Sequence, residues 1–397
     1  MNGNDMKRNS FLLLAATFAT TAFAQLNGDG YYRVQGVKQG RYISVVDNRG
    51  SINMSTTDAD LGALHTIRGF ERVESDPSSI IYIKKINGGY DLQSQGTGSY
   101  DIIDYAIQIL DMRDGTYRAY ATKSGLTKYL LDEVFDERID PEEKKNKGNL
   151  TTNGTPTELA DWYIKPVTAS GDNYFGLKPT VSVGADYYQT FYAAFPFTFS
   201  STGMNAYAVT KVDPKKSAVV ISELTAGVPT STPVIVKCSS TEPSKNKLNV
   251  GASASSSVSG NLLKGVYFCN DVTNAQHCNV VDYDAATMRV LGKAADGSLA
   301  FVKQADLKYI PANTAYITVS ADAPDELKVY TQAEYDKLPD GVRGDLNGDN
   351  TVNVQDYGIM VNIILGVNPQ TSAADLNNDG NVNVQDLGEL INIILNN

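Results

Sequence analysis

Residues 345–366 and 375–396 align at a period of 30, and 14 of the 22 paired positions are identical. A match this dense is a duplication, so the C-terminus must fold as one small unit built twice. Each copy opens with oxygen-bearing side chains at alternate positions. Asp345, Asn347 and Asp349 occupy loop positions 1, 3 and 5, as do Asp375, Asn377 and Asp379 in the second copy. Thr351 or Asn381 offers a carbonyl at position 7, Asn353 or Asn383 stands at 9, and Asp356 or Asp386 at 12. Oxygens at these offsets on a twelve-residue loop suit a hard cation that takes 6–8 oxygen ligands. The loops therefore read as two Ca2+ sites, calcium being preferred over magnesium because the ligand number is high and the loop adaptable. Position 6 must turn sharply, which Gly380 does freely and Asn350 does next best.

A helix is expected directly after each loop. Asn353 and Asn383 are candidate N-caps, and Asp356 and Asp386 lie three residues on, near the positive end of the helix dipole. Val354, Tyr357, Val361, Ile364 and Leu365 fall on one face, as do Val384, Leu387, Ile391, Ile394 and Leu395, and these two stripes are expected to bury each other. On that wheel Ile359, Ile363 and Ile393 point outward beside Gln355 and Gln385, so these five residues form the candidate partner face. Six Asp and one Glu against Arg343 alone give 343–397 a net charge of −6, more than half of the chain's −11. Folding of this segment is expected to depend on Ca2+.

The loop-plus-one-helix repeat, Asp at position 12 and the preceding Gly344-Asp345 resemble a type I dockerin over residues 343–397. That resemblance implies attachment to a cohesin receptor, with residues 10 and 11 of each loop and the following helix at the contact. Those positions here are Val354-Gln355 and Val384-Gln385, without the Ser/Thr pair or basic helix residue of the family, so a different cohesin specificity is implied. The connection 331–342 is short and lacks a Pro/Thr-rich tether. A cohesin-like protein and the chain's own β domain are both open as the partner of the C-terminal helices.

The rest of the 397 residues has a globular composition, 42% hydrophobic and 20% charged. A pI near 4.8 argues against nucleic acid, because no cationic footprint replaces phosphate counterions. Two His and three Cys exclude most multi-His metal centres, His-dependent triads and Cys-rich zinc modules. Met6-Lys7-Arg8, the apolar run Phe11–Ala24 and the ending Ala22-Phe23-Ala24 read as a signal peptide cut after Ala24. At 1.5 Å per residue the run is shorter than a hydrocarbon core of about 30 Å, so no transmembrane segment is expected and the mature chain reads as secreted. Cys269 and Cys278 are close enough in sequence to pair, and Cys269, His277 and Cys278 are a weaker metal candidate; buried small side chains fit better.

Mainly β, multidomain architecture is expected between the two ends: a β-trefoil-like domain over 25–168, a sandwich-like all-β domain over 169–335 and the all-α module over 336–397. In the first, 31–37, 80–86, 105–111 and 117–122 read as strands, and Tyr42, Tyr90 and Tyr129 recur 48 and 39 residues apart. That spacing, with Trp162 as a late core residue, resembles a ricin-type β-trefoil, which implies possible glycan binding. Only Ala160-Asp161-Trp162 stands where that family repeats a Gln-x-Trp signature. The charged segment 133–149 reads as a solvated insertion. In the second domain Phe195, Phe197 and Phe199 alternate, and 219–221, 233–238, 265–269, 299–302 and 315–319 are strand candidates around a Ser-rich loop at 251–260.

No G-x-S-x-G elbow, phosphate loop or H-E-x-x-H is present, and no catalytic residue is assigned. The favoured reading is a secreted calcium-binding component of an extracellular or surface polysaccharide system. A glycoside hydrolase with a carboxylate pair in one β domain is the alternative. A structural surface protein with an intramolecular clamp is a third.

Overall fold

Alternating apolar residues between positions 30 and 166 close an antiparallel sheet upon itself. Strand Gly30–Gly36 pairs with Ile81–Ile86 on one edge and Trp162–Pro166 on the other. From Ile81–Ile86 the ring continues through Gly89–Ser94 and a Tyr90–Ile107 bridge to Gln108–Asp111 and Tyr117–Lys123, which returns to Trp162. The hairpin partners Tyr42–Val45 with His65–Arg68, and Leu126–Glu133 with Lys147–Asn153, extend it. Period 2 puts Tyr32 and Val34, Ile81 and Ile83, Tyr117, Ala119 and Ala121, and Trp162 and Ile164 into one core. Trp162 is buried and its indole Nε1 donates to the Leu130 carbonyl at 3.1 Å.

This computed structural model describes residues 26, 28–45, 65–68, 74–96, 100–101, 106–133, 147–256, 259–267, 281–338, 342–349 and 351–396. Residues 1–24, read from sequence as a signal peptide, and Cys269, His277 and Cys278 lie outside the described residues. The strand readings at 31–37, 80–86 and 117–122 meet strands within a residue or two at each end. Of the three recurring tyrosines, Tyr42 and Tyr90 stand at or next to strand starts, whereas Tyr129 is in mid-strand against Tyr120. The charged insertion is shorter than expected: Lys147 to Asn149 pair with Arg68 to Thr66, and Asn149 pairs on its other side with Glu133.

The second body is a ten-stranded sheet that curls until its ends meet. Ala315 N donates to Thr190 Oγ1 at 3.0 Å, and Tyr192 N to the Asn313 carbonyl at 3.0 Å. Its middle strands are buried on both faces. In Asn205–Asp213, Ala206 and Ala208 enter one core and Val209 the other; in Val234–Cys238, Val234 and Val236 oppose Ile235 in the same way. The outer core is capped by a three-stranded sheet carrying Phe175, Phe197 and Leu248. Phe195 and Phe197 are fully buried, as their alternation predicts. Cys238 joins that core, and burial pushes its thiol up to about 12.

The two bodies share a seam. Ile80 of the first sits in the core of the second. Arg33, 2% exposed, donates from Nε to Ser79 Oγ and from Nη1 to Asn173 Oδ1 and the Tyr174 carbonyl at 2.7–3.1 Å. Burial lowers its pKa to about 10, which leaves it charged at neutral pH and makes its ring of acceptors obligatory. The chain is thus mainly β, with a small all-α module at its C-terminus.

Candidate functional site

Three helices end the chain: α1, Gln332–Tyr335; α2, Val354–Ile364; and α3, Val384–Asn396. Asn353 Oδ1 accepts from Gln355 N at 2.8 Å, and Asn383 Oδ1 from Gln385 N at 2.8 Å. The expected caps are therefore in place. Asp356 Oδ2 accepts from Asn353 N at 2.9 Å, completing a capping box, and Asp386 Oδ2 accepts from Asn383 N at 2.8 Å.

The position-12 carboxylates do more than cap. Asp356 Oδ1 accepts from Leu346 N and Asn347 N at 2.7 and 3.1 Å, and Asp386 Oδ1 from Leu376 N and Asn377 N at 2.8 and 3.1 Å. Both residues are buried, and three of the roughly four acceptor sites on each are engaged by main-chain donors. They staple the loop start to the helix start. At positions 1, 3 and 5 the side chains hydrogen-bond within their own loop. Asp345 Oδ1 accepts from Gly348 N, Asn347 Nδ2 donates to Asp349 Oδ2 at 2.8 Å, and Asn377 Nδ2 to Asp379 Oδ2 at 3.1 Å. The Thr351 hydroxyl and N–H, with the Asn347 amide, hold the Asp349 carboxyl below the usual range. The Asn381 N–H and the Asn377 amide do the same for Asp379. Thr351 and Asn381 follow at position 7.

The loops' donors are carboxylate, amide and main-chain oxygens alone, a set that fits a hard cation and excludes a soft one. Among the described residues no three carboxylates, imidazoles or thiols gather into a metal-binding group. Any ion here therefore draws on amide and carbonyl oxygens as well as on the aspartates of its loop. Positive φ appears at Gly380 (87°), as expected at position 6, and also at position 4, where Gly348 and Asn378 stand at 77° and 56°. Position 4 went unread, though its Gly/Asn pair is the same chemistry as the Asn/Gly pair at position 6.

The helix faces require a correction. Ile363 is 3% exposed and packs with Met360, Leu390, Ala374 and Leu376; Ile359 and Ile393 pack against the same core. These isoleucines are the interior of the module and not a partner face. Residues assigned to the buried stripe are instead outside: Val354, Leu365, Val384 and Leu395 are exposed, as are Tyr357 and Ile391 to a lesser degree. Ile364, Leu387 and Ile394 of that stripe do pack against the core, so the buried face is rotated only part of the way from the expected one. Burial of Asp356 and Asp386 fixes that rotation, because a carboxylate reaching the loop main chain turns its own face inward. Leu346, Val352 and Val382 from the loops then cover that face. Gln355 and Gln385 remain exposed, their Oε1 atoms accepting from Asn347 and Asn377 at 3.2 and 3.5 Å.

The module meets the β body through its connection. Tyr335, buried, donates to Asp213 Oδ2 at 2.6 Å, accepts from Lys211 Nζ and lies between the Lys211 and Lys216 ammonium groups, 4.2 and 5.1 Å from its ring centre. Arg343 N reaches the Lys215 carbonyl at 3.2 Å. Among the described residues nothing covers Val354 or Val384.

Two oxygen-lined loops, each stapled to a capped helix around one shared core, define a duplicated loop-helix module. Residues 343–395 match the family described as the dockerin type I domain. No curated protein matches the sequence. Among solved structures, the designed three-fold symmetric protein ThreeFoil is similar at 16% identity, over 35% of this chain and 100% of that one, with a TM-score of 0.24. The Macrolepiota procera ricin B-like lectin in complex with lactose is similar at 12% identity, over 36% and 99%, with a TM-score of 0.24. Among the described residues no helix is long and apolar enough to cross a membrane.

Proposed function

We propose that this chain is a secreted component of an extracellular glycan-handling assembly. Its C-terminal module, loaded with two Ca2+, plugs into a cohesin-like receptor, and its β body carries a binding function. The chain divides in this reading into a signal peptide (1–24), a trefoil-like domain (25–168), a sandwich-like domain (169–335) and the dockerin module (336–397). Asp345, Asn347, Asp349, Thr351, Asn353 and Asp356, with Asp375, Asn377, Asp379, Asn381, Asn383 and Asp386, hold the ions. Bound Ca2+ supplies charge neutralisation to the acidic loops, and the residues supply the oxygen cage.

One observation carries the docking half of the reading. Val354-Gln355 and Val384-Gln385 stand exposed at equivalent starts of α2 and α3, two apolar-polar pairs related by the internal duplication. An apolar side chain exposed twice at the same place suits a receptor surface. The test is capture of the full chain by a panel of immobilised type I cohesins, with Ca2+ and after chelation. Expected is Ca2+-dependent capture by at least one cohesin, lost in the Val354→Asp, Val384→Asp double variant. No capture by any member in Ca2+ overturns the receptor, and capture that survives the double variant moves the face elsewhere.

A further inference from the structure

The seam between the two β bodies is hollowed along its length. One hollow, of about 440 Å3, is walled by Tyr31 and Tyr82 with Asp29 at its rim. A second, of about 360 Å3, is edged by Thr168, Ser200 and Asn249. Val167 and Val250 line both, so the two form one groove.

Its aromatic wall is held in place. The Tyr31 and Tyr82 rings lie 4.9 Å apart at 43°, and Tyr31 meets Phe195 of the second body edge-on at 6.2 Å. Asp29, whose charge is felt at the Tyr82 hydroxyl, accepts from Lys85 N at 2.7 Å. Gly251, at φ 79°, lets the main chain lie against Tyr31, where a Cβ would come within 2.4 Å of the ring. Asn249 is oriented by donating to Thr198 Oγ1 at 3.1 Å, and it is exposed together with Thr168 and Ser200.

The lining chemistry selects a ligand class. Among the described residues Asp29 is the one formally charged group lining either hollow, so the lining repels anions and offers phosphate or sulfate no cation. Tyrosines with an apolar face and a polar tip, beside hydroxyl and amide groups that both donate and accept, suit a neutral polyhydroxylated chain. We propose that this groove binds a neutral glycan, Tyr82 and Tyr31 covering the apolar face of a sugar ring while Asp29, Ser200 and Asn249 hydrogen-bond its hydroxyls. The proposal rests on the glycan-handling reading above and gives it a location.

The experiment is native affinity electrophoresis of the full chain in gels containing soluble xylan, barley β-glucan, galactomannan or dextran, with dextran sulfate as the anionic control. Tyr82→Ala, Asn249→Ala and the groove-filling Ser200→Trp are run beside the parent, with a thermal melt to confirm folding. Expected is retardation by at least one neutral polysaccharide, weakened about fivefold or more in each variant. Asn249 and Ser200 are exposed, so these two variants remain informative if Tyr82→Ala fails to fold. Retardation that all folded variants retain overturns the groove while leaving glycan handling standing. No retardation by any neutral polysaccharide, or by dextran sulfate alone, overturns the groove and the glycan half of the functional reading together. Cohesin capture, measured separately, is untouched by either result.

Discussion

Arg41 and Asp132 are 91 residues apart in sequence and buried together, 3% and 0% exposed at their side chains. Burial raises the Asp132 pKa, and the hydrogen bonds and charge of Arg41 oppose that shift. Gly36 belongs to the same site, because a Cβ there would stand 2.5 Å from Asp132 Oδ2. We predict that Asp132→Asn destabilises the chain by about 3–5 kcal/mol in denaturant melts, since it strands a buried guanidinium. Arg41→Met with Asp132→Leu should cost far less, because no unpaired charge is left. A single variant as mild as the double would show the pair to be solvated. A pH effect belongs to Asp296. Burial alone would raise its pKa, but hydrogen bonds from Lys328 and Ser298, with the Lys328 charge, bring it to about 2. A depressed carboxylate stabilises the fold above its unfolded pKa, and that contribution is lost as pH falls through the folded value. The melting-temperature gap between parent and Lys328→Met is therefore expected at pH 6, to shrink between about pH 4 and pH 2, and to be absent below that. A constant gap across this range would assign the effect to packing.

The helices of the dockerin module show what the sequence makes legible. Their existence, caps and cation-loop spacing could be read, because each depends on residues within twelve positions of one another. Which face is buried could not be read from helical period alone. Met360-Ile363 and Val361-Ile364 are neighbouring apolar pairs, and the stapling of Asp356 to Leu346 N and Asn347 N turns the first fully inward while Ile364 packs at the edge of the same core. The Arg41–Asp132 pair and the Tyr31–Tyr82 wall were silent for the same reason, since strand pairing brings them together across long sequence distances. A variant pair tests the corrected face. Ile363→Asp should abolish the module's own unfolding transition in the full chain and lower its far-ultraviolet helical signal, because it buries a carboxylate at a 3% exposed site. Val354→Asp, at an exposed site, should leave both unchanged. Equal effects would return the face to its original assignment.

At the scale of the whole molecule, Tyr335 joins the module to the β body. It fills a site formed by Ala218 and Val220 and is held by Asp213 and two lysines. We predict that Tyr335→Ala speeds tryptic cleavage at the exposed Lys337, while the melt of the first sheet is unchanged. An unchanged cleavage rate would mean that the capping box of Thr331 and Glu334 holds the connection without the ring. In the proposed reading calcium acts on the same stretch from the other side. Ligand at a hundredfold its Kd stabilises a folded site by about 2.7 kcal/mol. Chelation should therefore remove a transition assigned to 343–396 and leave the β transitions in place. A chelator without effect on any transition would remove calcium from the account of the fold.

The strand Glu326–Thr331, which leads into α1 and the module, lies between two neighbours. It is paired parallel to Ala218–Glu223 on one edge and antiparallel to Leu299–Val302 on the other. Tension applied to the chain through its C-terminal module pulls along this strand's own axis. Every hydrogen bond of both ladders then bears tension at once, as in a lap joint, and none can be peeled before the next. The short tether found here concentrates force on that joint instead of absorbing it. A single-molecule pull from the C-terminus should therefore rupture the C-terminal module before this strand leaves its sheet.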